Sequence, residues 1–409
     1  MSMDRFGDKV CCNPNVKLKK QESYPVIDID KITPGYKAVR SVASIEYTGQ
    51  GGAKFQDHDV LFARITPCLE NGKMAIADTE GQNGIGSTEL FVFRGIDGVS
   101  DTDYVYYLLC MKHIRQLAAN SMTGASGRQR ADLDFIKRIQ WDFPDIEMQK
   151  KIASVLSAYD NLIEVNNKRI DFLEQIAENL YKEWFVRFRF PGHETAEFEN
   201  GIPEGWAYRR ADEVIDFNPT LKTGNQTEFT IIPMEALSTN SMVLDSGCFV
   251  RQDSISGRRS QNGDTLLAKI TPCLENGKTG FVMGMPENEV LGGSTEFVVM
   301  RSKALTPHYV YCIARSYYFR QTAILSMNGA DGRQRVDEDK LKSTKILQPE
   351  KTVLDHFETI VTPIFDGVYQ MVQENKNLIQ QRDLLLPRLM SGKLEVQKCP
   401  LFLNDMGMW

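Results

Sequence analysis

No stretch of the chain carries about eighteen consecutive apolar residues, which excludes a membrane-crossing helix of the usual kind. Zinc-site spacing is missing as well. The eight cysteines (Cys11, Cys12, Cys68, Cys110, Cys248, Cys273, Cys312 and Cys399) include no C-x-x-C pair, and the five histidines do not gather near them. Reduced, mostly buried thiols are therefore expected. A positive excess is absent too. The formal net charge is −6, which argues against a protein that grips polyanions over its whole surface and leaves room only for local basic loops. The opening residues are polar and charged, without an apolar stretch of secretory type, so a cytoplasmic protein is expected. What remains is an ordinary balance, 42% hydrophobic and 25% charged over 409 residues, too long for one core.

The dominant feature is an internal repeat. Residues 65–73 read Ile-Thr-Pro-Cys-Leu-Glu-Asn-Gly-Lys, and residues 270–278 repeat those nine letters 205 positions later. The likeness extends backwards, where Asp59-Val-Leu-Phe-Ala-Arg64 answers Asp264-Thr-Leu-Leu-Ala-Lys269. Further on, Gly86-Ser-Thr-Glu89 answers Gly293-Ser-Thr-Glu296, and Gly124-Ala-Ser-Gly-Arg-Gln-Arg130 answers Gly329-Ala-Asp-Gly-Arg-Gln-Arg335. A spacing of 205 residues is the size of a domain and far longer than a solenoid period. Each copy mixes signals. Segments 25–30, 59–65, 73–77 and 88–93 read as strands broken by Pro67, Asn71-Gly72, Gly84 and Gly86. A helix is expected from an Asp103 cap through Ala119. Each copy is therefore read as a small α+β domain.

After Pro144 the rhythm changes. Ile152, Val155, Leu156, Tyr159, Leu162, Ile163, Asn166, Ile170, Leu173, Ala177, Leu180 and Trp184 recur at steps of three and four, the mark of one amphipathic helix. Its counterpart follows the second copy: Leu354, Phe357, Ile360, Ile364, Val368, Met371, Asn375, Leu378, Arg382, Leu385 and Leu389. Pro363 and Gly367 are expected to kink or loosen it, and Pro387 to disturb its last turn. A long helix with one narrow apolar stripe is unstable alone, so the two stripes are expected to bury each other. Because a whole domain separates the helices, they should pair antiparallel in a pseudo-two-fold arrangement, with Asn166 and Asn375 as polar interruptions of a coiled-coil seam. The expected organisation is 1–143 first domain, 144–190 long helix, 191–202 linker, 203–348 second domain, 349–394 second long helix and 395–409 tail.

Catalytic motifs do not survive inspection. Gly277-Lys-Thr279 resembles the end of a phosphate-binding loop, but position 272 is Pro where that motif needs Gly. Asn13-Pro14 and Asn218-Pro219 begin like the Asn-Pro-Pro-aromatic motif of adenine methyltransferases, but Asn15-Val16 and Thr220-Leu221 follow, with no ring to hold a flipped base. Their equivalent places in the two copies indicate a shared turn.

The layout resembles that of type I restriction–modification specificity subunits, and particular segments carry the likeness. Lys182-Glu-Trp-Phe-Val-Arg-Phe-Arg-Phe-Pro-Gly-His193 is similar to the end of that family's central conserved helix. Gly201-Ile-Pro-Glu-Gly-Trp206 is similar to its lead into the second target recognition domain, and Leu384-Leu-Leu-Pro-Arg-Leu-Met-Ser-Gly-Lys-Leu-Glu-Val396 to its C-terminal signature. The repeated nine-residue block resembles one subclass of recognition domain. The first copy departs from the pattern, lacking the Pro-x-Gly-Trp lead and starting at Asp4-Arg-Phe-Gly7. The resemblance implies a non-catalytic subunit in which each domain reads one half of a split site in double-stranded DNA. The helices would set the distance between the halves. It implies two modification subunits docked on the helices and carrying S-adenosylmethionine chemistry, and restriction subunits using ATP and Mg; no cofactor is expected on this chain. A stand-alone methyltransferase or nuclease, or a coiled-coil adaptor binding only proteins, are the competing classes.

For a reader of this kind, Arg128-Gln129-Arg130 and Arg333-Gln334-Arg335 are the leading DNA-contact candidates, because Arg suits guanine O6 and N7 or phosphate, Gln suits adenine, and the triplet recurs. Lys73 and Lys278, beside Asn-Gly turns, are candidates for phosphate, and Arg64 and Lys269 keep positive charge before the block. Glu89 and Glu296 offer an acceptor for cytosine N4, with a structural hydrogen bond the favoured alternative. Thr66-Pro67-Cys68-Leu69 is balanced between a fold-defining turn and a contact. Identical residues cannot tell two different half-sites apart. The copies diverge at Gly51-Gly-Ala-Lys-Phe55 against Ser256-Gly-Arg-Arg-Ser260, so loops 46–56 and 251–261, with Lys54, Arg258 and Arg259, are the expected specificity elements. Exchanging the two loops should alter the methylated site of a host carrying the chain; an unchanged methylome would discard them.

Overall fold

The computed structural model describes residues 3–125, 127–330 and 332–396; most of the expected tail, with Cys399, lies outside them. The chain divides into two compact units, Met1–Val165 with Asn375–Trp409, and Asn166–Glu374.

In the first unit the short apolar segments become strands β1 (Val10–Cys12), β2 (Ser23–Ile27), β3 (Ala38–Arg40), β4 (Ser44–Glu46), β5 (Ala53–Phe55), β6 (Val60–Ala63), β7 (Met74–Asp78), β8 (Gly84–Gly86) and β9 (Leu90–Gly95). They form a five-stranded sheet, β1-β9-β6-β7-β3, and a four-stranded one, β4-β2-β8-β5. The period of two along the central strands explains why β6, β7 and β9 are buried on both faces. Leu61, Ala75, Ala77 and Val92 join Ile27 and Phe55 in one core. Val60, Phe62, Ile76, Phe91 and Phe93 turn the other way, toward the helices. Those helices are α1 (Thr102–Cys110), α2 (Lys112–Asn120), α3 (Leu133–Arg138) and the long α4 (Ile146–Tyr181), which continues into the second unit. The single helix expected from Asp103 is in fact two. Asp101 is the N-cap, accepting from the Tyr104 amide at 2.9 Å, and Met111 adopts extended backbone that ends α1 and starts α2.

The second unit repeats this plan with β10 (Ile215–Phe217), β11 (Phe229–Ile232), β12 (Val250–Gln252), β13 (Arg258–Ser260), β14 (Thr265–Ala268), β15 (Thr279–Phe281), β16 (Leu291–Gly293) and β17 (Phe297–Ser302). The sheets are β10-β17-β14-β15 and β12-β11-β16-β13. Helices α5 (Pro307–Arg315), α6 (Tyr317–Leu325), α7 (Glu338–Ser343) and α8 (Lys351–Met390) follow. The copies share their buried polar framework as well. Arg94 donates twice to Asp59 at 2.6 Å, as Arg301 does to Asp264 at 2.8 and 2.7 Å. Asn13, at φ +50°, donates its amide to Val92 O and accepts from Val92 N; Asn218, at φ +52°, does the same with Val299. The twin Asn-Pro dipeptides are thus strand-ending turns, with the Asn side chain standing in for a missing ladder partner.

Helices α4 and α8 are 36 and 40 residues long, and α8 runs unbroken through Pro363, Gly367 and Pro387. In the second unit Ile170, Ala177, Trp184 and Phe185 of the first long helical segment share a core with Leu354, Phe357, Val361, Phe365 and Val368. Trp184 meets Phe357 ring to ring at 5.9 Å while Asn166 donates to Glu374 at 3.0 Å, so the segments run antiparallel there. The segment closes on a widened turn, Lys182–Val186, over which Phe185, Phe188 and Phe190 pack against the Trp206 ring. In the first unit Ile152, Val155, Leu156 and Tyr159 cluster with Leu386, Leu389 and Met390.

The two halves of the seam are not chemically alike. Because α4 begins at Ile146 and α8 at Lys351, Asp160 and Phe365 hold the same step of their helices, as do Ala177 and Arg382. The first unit buries Asp160 against Arg382, whose guanidinium also donates to Gly35 O, while Tyr107 donates to the other Asp160 oxygen. The second unit buries Phe365 and Ala177 in one apolar cluster. Removing one member of a buried ion pair strands the other, which costs about 3–5 kcal/mol, whereas replacing both with apolar groups is often neutral. Arg382→Met alone should lower stability by about that much, and the double variant Asp160→Leu/Arg382→Met should regain most of it, as read by denaturant unfolding.

Candidate nucleic-acid interface

The repeated block folds as a tight loop leaving the central strand, with a cis peptide before Pro67 and Pro272. Its polar groups are largely committed inward. Lys73, half-buried, donates to Ile29 O at 2.9 Å, and Lys278 to Met234 O at 3.1 Å. The block's lysines therefore staple the loop to a neighbouring segment of their own unit and do not reach outward as a phosphate clamp would. Gly72 and Gly277, at φ +74° and +80°, lie against the guanidinium groups of Arg115 and Arg320. Here the left-handed backbone requires glycine, and the arginine end lies where a Cβ would go.

The Gly-flanked Arg-Gln-Arg loops rest on this block. Thr66 donates its amide and hydroxyl to Gln129 O at 3.0 and 3.2 Å, and Thr271 donates the same pair to Gln334 O at 3.1 Å each. Thr123 and Arg130 exchange both backbone hydrogen bonds, as do Asn328 and Arg335. Thr66-Pro67-Cys68-Leu69 is thus the shelf that fixes the loop. On that shelf Arg128 and Arg333 are exposed and make no side-chain hydrogen bond or ion pair among the described residues, while Gln129 and Gln334 are half-buried. The third residue behaves differently. Arg130 donates through Nε and Nη2 to Glu89 at 2.9 and 2.6 Å, and Arg335 to Glu296 at 3.0 and 2.7 Å. The bound guanidinium holds each carboxyl below the usual carboxylate range. Glu89 and Glu296 are accordingly structural acceptors, saturated by arginine.

The remaining candidates separate the copies. Arg64 lies over the Phe91 ring at 5.4 Å and reaches Glu89 at 3.4 Å. Its counterpart Lys269 pairs with Glu338 at 2.9 Å, and Arg258 joins that carboxylate at 2.7 Å. Position 133, which answers Glu338, is Leu, and position 53, which answers Arg258, is Ala. The charge gained in the second copy is thus neutralised within its own unit. Lys54 sits over the Tyr47 ring at 4.9 Å, and Arg259 donates to Leu221 O. The divergent segments are edge strands β5 and β13 and no simple loops. Nothing in the sequence marks Arg115 and Arg320, at the same place in the repeat, as lying against Gly72 and Gly277.

Among the described residues no group of three or more His, Cys, Asp and Glu is placed to hold a metal, and no helix is long and apolar enough to cross a membrane. None of the seven described cysteines forms a disulfide. Only Cys312 is fully buried; the other six are half-buried, less sequestered than their scatter suggested.

Residues 10–175 match the family model described as the type I restriction modification DNA specificity domain. The type I restriction enzyme MjaVIII specificity subunit of Methanocaldococcus jannaschii is 23% identical over 96% of this chain and 92% of its own length. The MjaIX specificity subunit of the same organism is 25% identical, covering 75% and 72%. A solved structure, the type I restriction-modification system S subunit from M. genitalium, shares the fold with a TM-score of 0.52 at 14% identity over 95% of each chain.

Replacing Gly72 by Ala would set a Cβ 2.2 Å from Arg115 Nη1, against 2.8 Å from Arg320 Nη1 at Gly277. Gly72→Ala and Gly277→Ala should each destabilise by about 1–2 kcal/mol through the left-handed backbone, with the flexible arginine end shifting at little added cost. Thermal unfolding should show both effects, with Gly51→Ala, which meets nothing within 4 Å, as the neutral control.

Proposed function

The chain belongs to the family of type I restriction enzyme specificity subunits, and on that premise we propose that each unit reads one half of a bipartite duplex site through its Gly-flanked Arg-Gln-Arg loop. As a specificity subunit it binds DNA, assembles with the other subunits of the system and is itself non-catalytic. Two modification subunits dock on α4 and α8 and supply S-adenosylmethionine chemistry, restriction subunits supply ATP- and Mg-dependent steps, and the helices set the spacing of the half-sites.

The observation that carries the reading is the repetition of the loop. Both copies hold the same triplet on the same threonine–proline shelf and leave the first arginine, Arg128 or Arg333, on the surface with no side-chain partner among the described residues. A solvated turn kept only for folding has no need to hold an unpaired cation on a rigid base. A DNA reader does, because a backbone already held in place leaves only the side chain to be ordered on binding. The net charge of −6 fits this arrangement: attraction is concentrated at loops, and the rest of the surface is left for protein partners.

In complex with the modification subunits, Arg128→Ala should weaken binding to DNA carrying the full site and leave the half-site read by the second unit intact; Arg333→Ala should do the converse. If either arginine holds phosphate, the log–log salt slope should also fall by about 1. Unchanged affinity and unchanged methylated sites in both variants would refute the loops as readers.

A further inference from the structure

Glu89 and Glu296 stand outside the set of residues that would touch DNA, yet each is aimed at one that would. Glu89 is itself held in place. Its amide donates to Ser87 Oγ at 3.1 Å and its carbonyl accepts from Arg64 N at 3.0 Å; Glu296 repeats both contacts with Ser294 at 3.1 Å and Lys269 at 2.9 Å. From that base the carboxylate takes the Nε–Nη2 edge of the arginine in a two-pronged contact, in both copies and within about 0.1 Å of the same geometry. The arginine backbone is pinned as well, by its paired bonds to Thr123 or Asn328.

A guanidinium has five N–H groups. With one edge committed, the Nη1–Nη2 end retains two parallel donors, and their direction is set by the plane that the carboxylate imposes. Arg130 and Arg335 are about half exposed, so this end is open to a ligand. The carboxylate has a second effect. It offsets part of the local positive charge, shared with Arg64 in the first unit, which weakens the long-range pull on phosphate and leaves the short-range, directional hydrogen bonds. A partly neutralised but oriented fork suits base recognition better than phosphate gripping, since guanine O6 and N7 accept two parallel donors.

Resting on the reading of the loops given above, we infer that Glu89 and Glu296 are positioning residues for sequence discrimination, each holding Arg130 or Arg335 as a partly charge-neutralised fork for one guanine in its own half-site. Glu89→Gln keeps size and one acceptor oxygen but frees the arginine charge and its orientation. Two opposite effects should follow in the assembled complex. Preference for guanine at one position of the first half-site should fall roughly tenfold or more. Binding to unrelated duplex should tighten, with a steeper salt dependence. The second half-site should be untouched, and Glu296→Gln should give the mirror result.

A merely structural carboxylate would not tighten non-specific binding, nor confine its effect to one base pair. The test is competitive selection from a duplex pool randomised at each half-site, with salt titration on an unrelated duplex, using the complex of full-length chain and modification subunits. Arg130→Lys, which keeps the charge and loses the fork, provides the second arm and should relax the same base pair. Equal weakening on all sequences, or unchanged preference in Glu89→Gln while Arg130→Lys relaxes it, overturns the positioning role. Unchanged preference in Arg130→Lys and Arg128→Ala together overturns the loop reading itself, so the two failures are told apart.

Discussion

Neither long helix can bury its apolar stripe by itself, and that constraint organises the chain. A stripe one or two residues wide gains too little within a single helix to offset the cost of ordering thirty-six or forty residues. Each unit therefore takes one part of each helix. The first unit joins the start of α4 to the end of α8, and the second joins the end of α4 to the start of α8. Residues some two hundred positions apart are thereby made neighbours within each unit, and the recognition folds grow from these seams, since Tyr104 to Leu109 share a core with α4 and Tyr309 to Ala314 with α8.

Duplication would make the two seams interchangeable if they were identical, and they are not. At matching steps one seam holds Asp160 with Arg382 and the other Phe365 with Ala177. Pairing two first-copy helices would set Asp160 against alanine, and pairing two second-copy helices would set Arg382 against phenylalanine. Each mismatch buries a charge without a partner, which is strongly unfavourable. The ion pair adds little net stability over an apolar pair, but it distinguishes the correct pairing from the two homotypic ones, the role best attested for buried polar groups in helix seams.

The same division between shared and divergent residues runs through the recognition units. What is identical mostly supports: the threonine–proline shelf, the lysine staples, the glycine–arginine contact and the glutamate that braces the triplet. What differs is balanced locally. Arg258 and Lys269 arrive with Glu338, whereas Ala53 and Arg64 face no such acid because Leu133 stands in its place. A change of half-site would thus require coupled substitutions, since a lone cation on β13 would lose its carboxylate partner.

Much of this was legible in the sequence alone. The repeat, the α+β character of each copy, the long helices and the emptiness of the pseudo-catalytic motifs follow from periodicity and spacing, because those patterns record which faces are buried along a continuous stretch of chain. The helix break at Met111 was not legible, since a residue with good helix propensity sits there in extended backbone. Nor was the fate of the cations. Lys73 and Arg128 look alike as letters beside glycine, yet one is folded onto a carbonyl and the other has no side-chain partner among the described residues. That distinction depends on the Ile29 carbonyl, which lies tens of residues from Lys73 and carries no local signature of the role, just as Glu89 decides the fate of Arg130. Local periodicity determined the elements and their duplication; whether each basic side chain supports the fold or faces outward was decided only when distant acceptors came within hydrogen-bond reach.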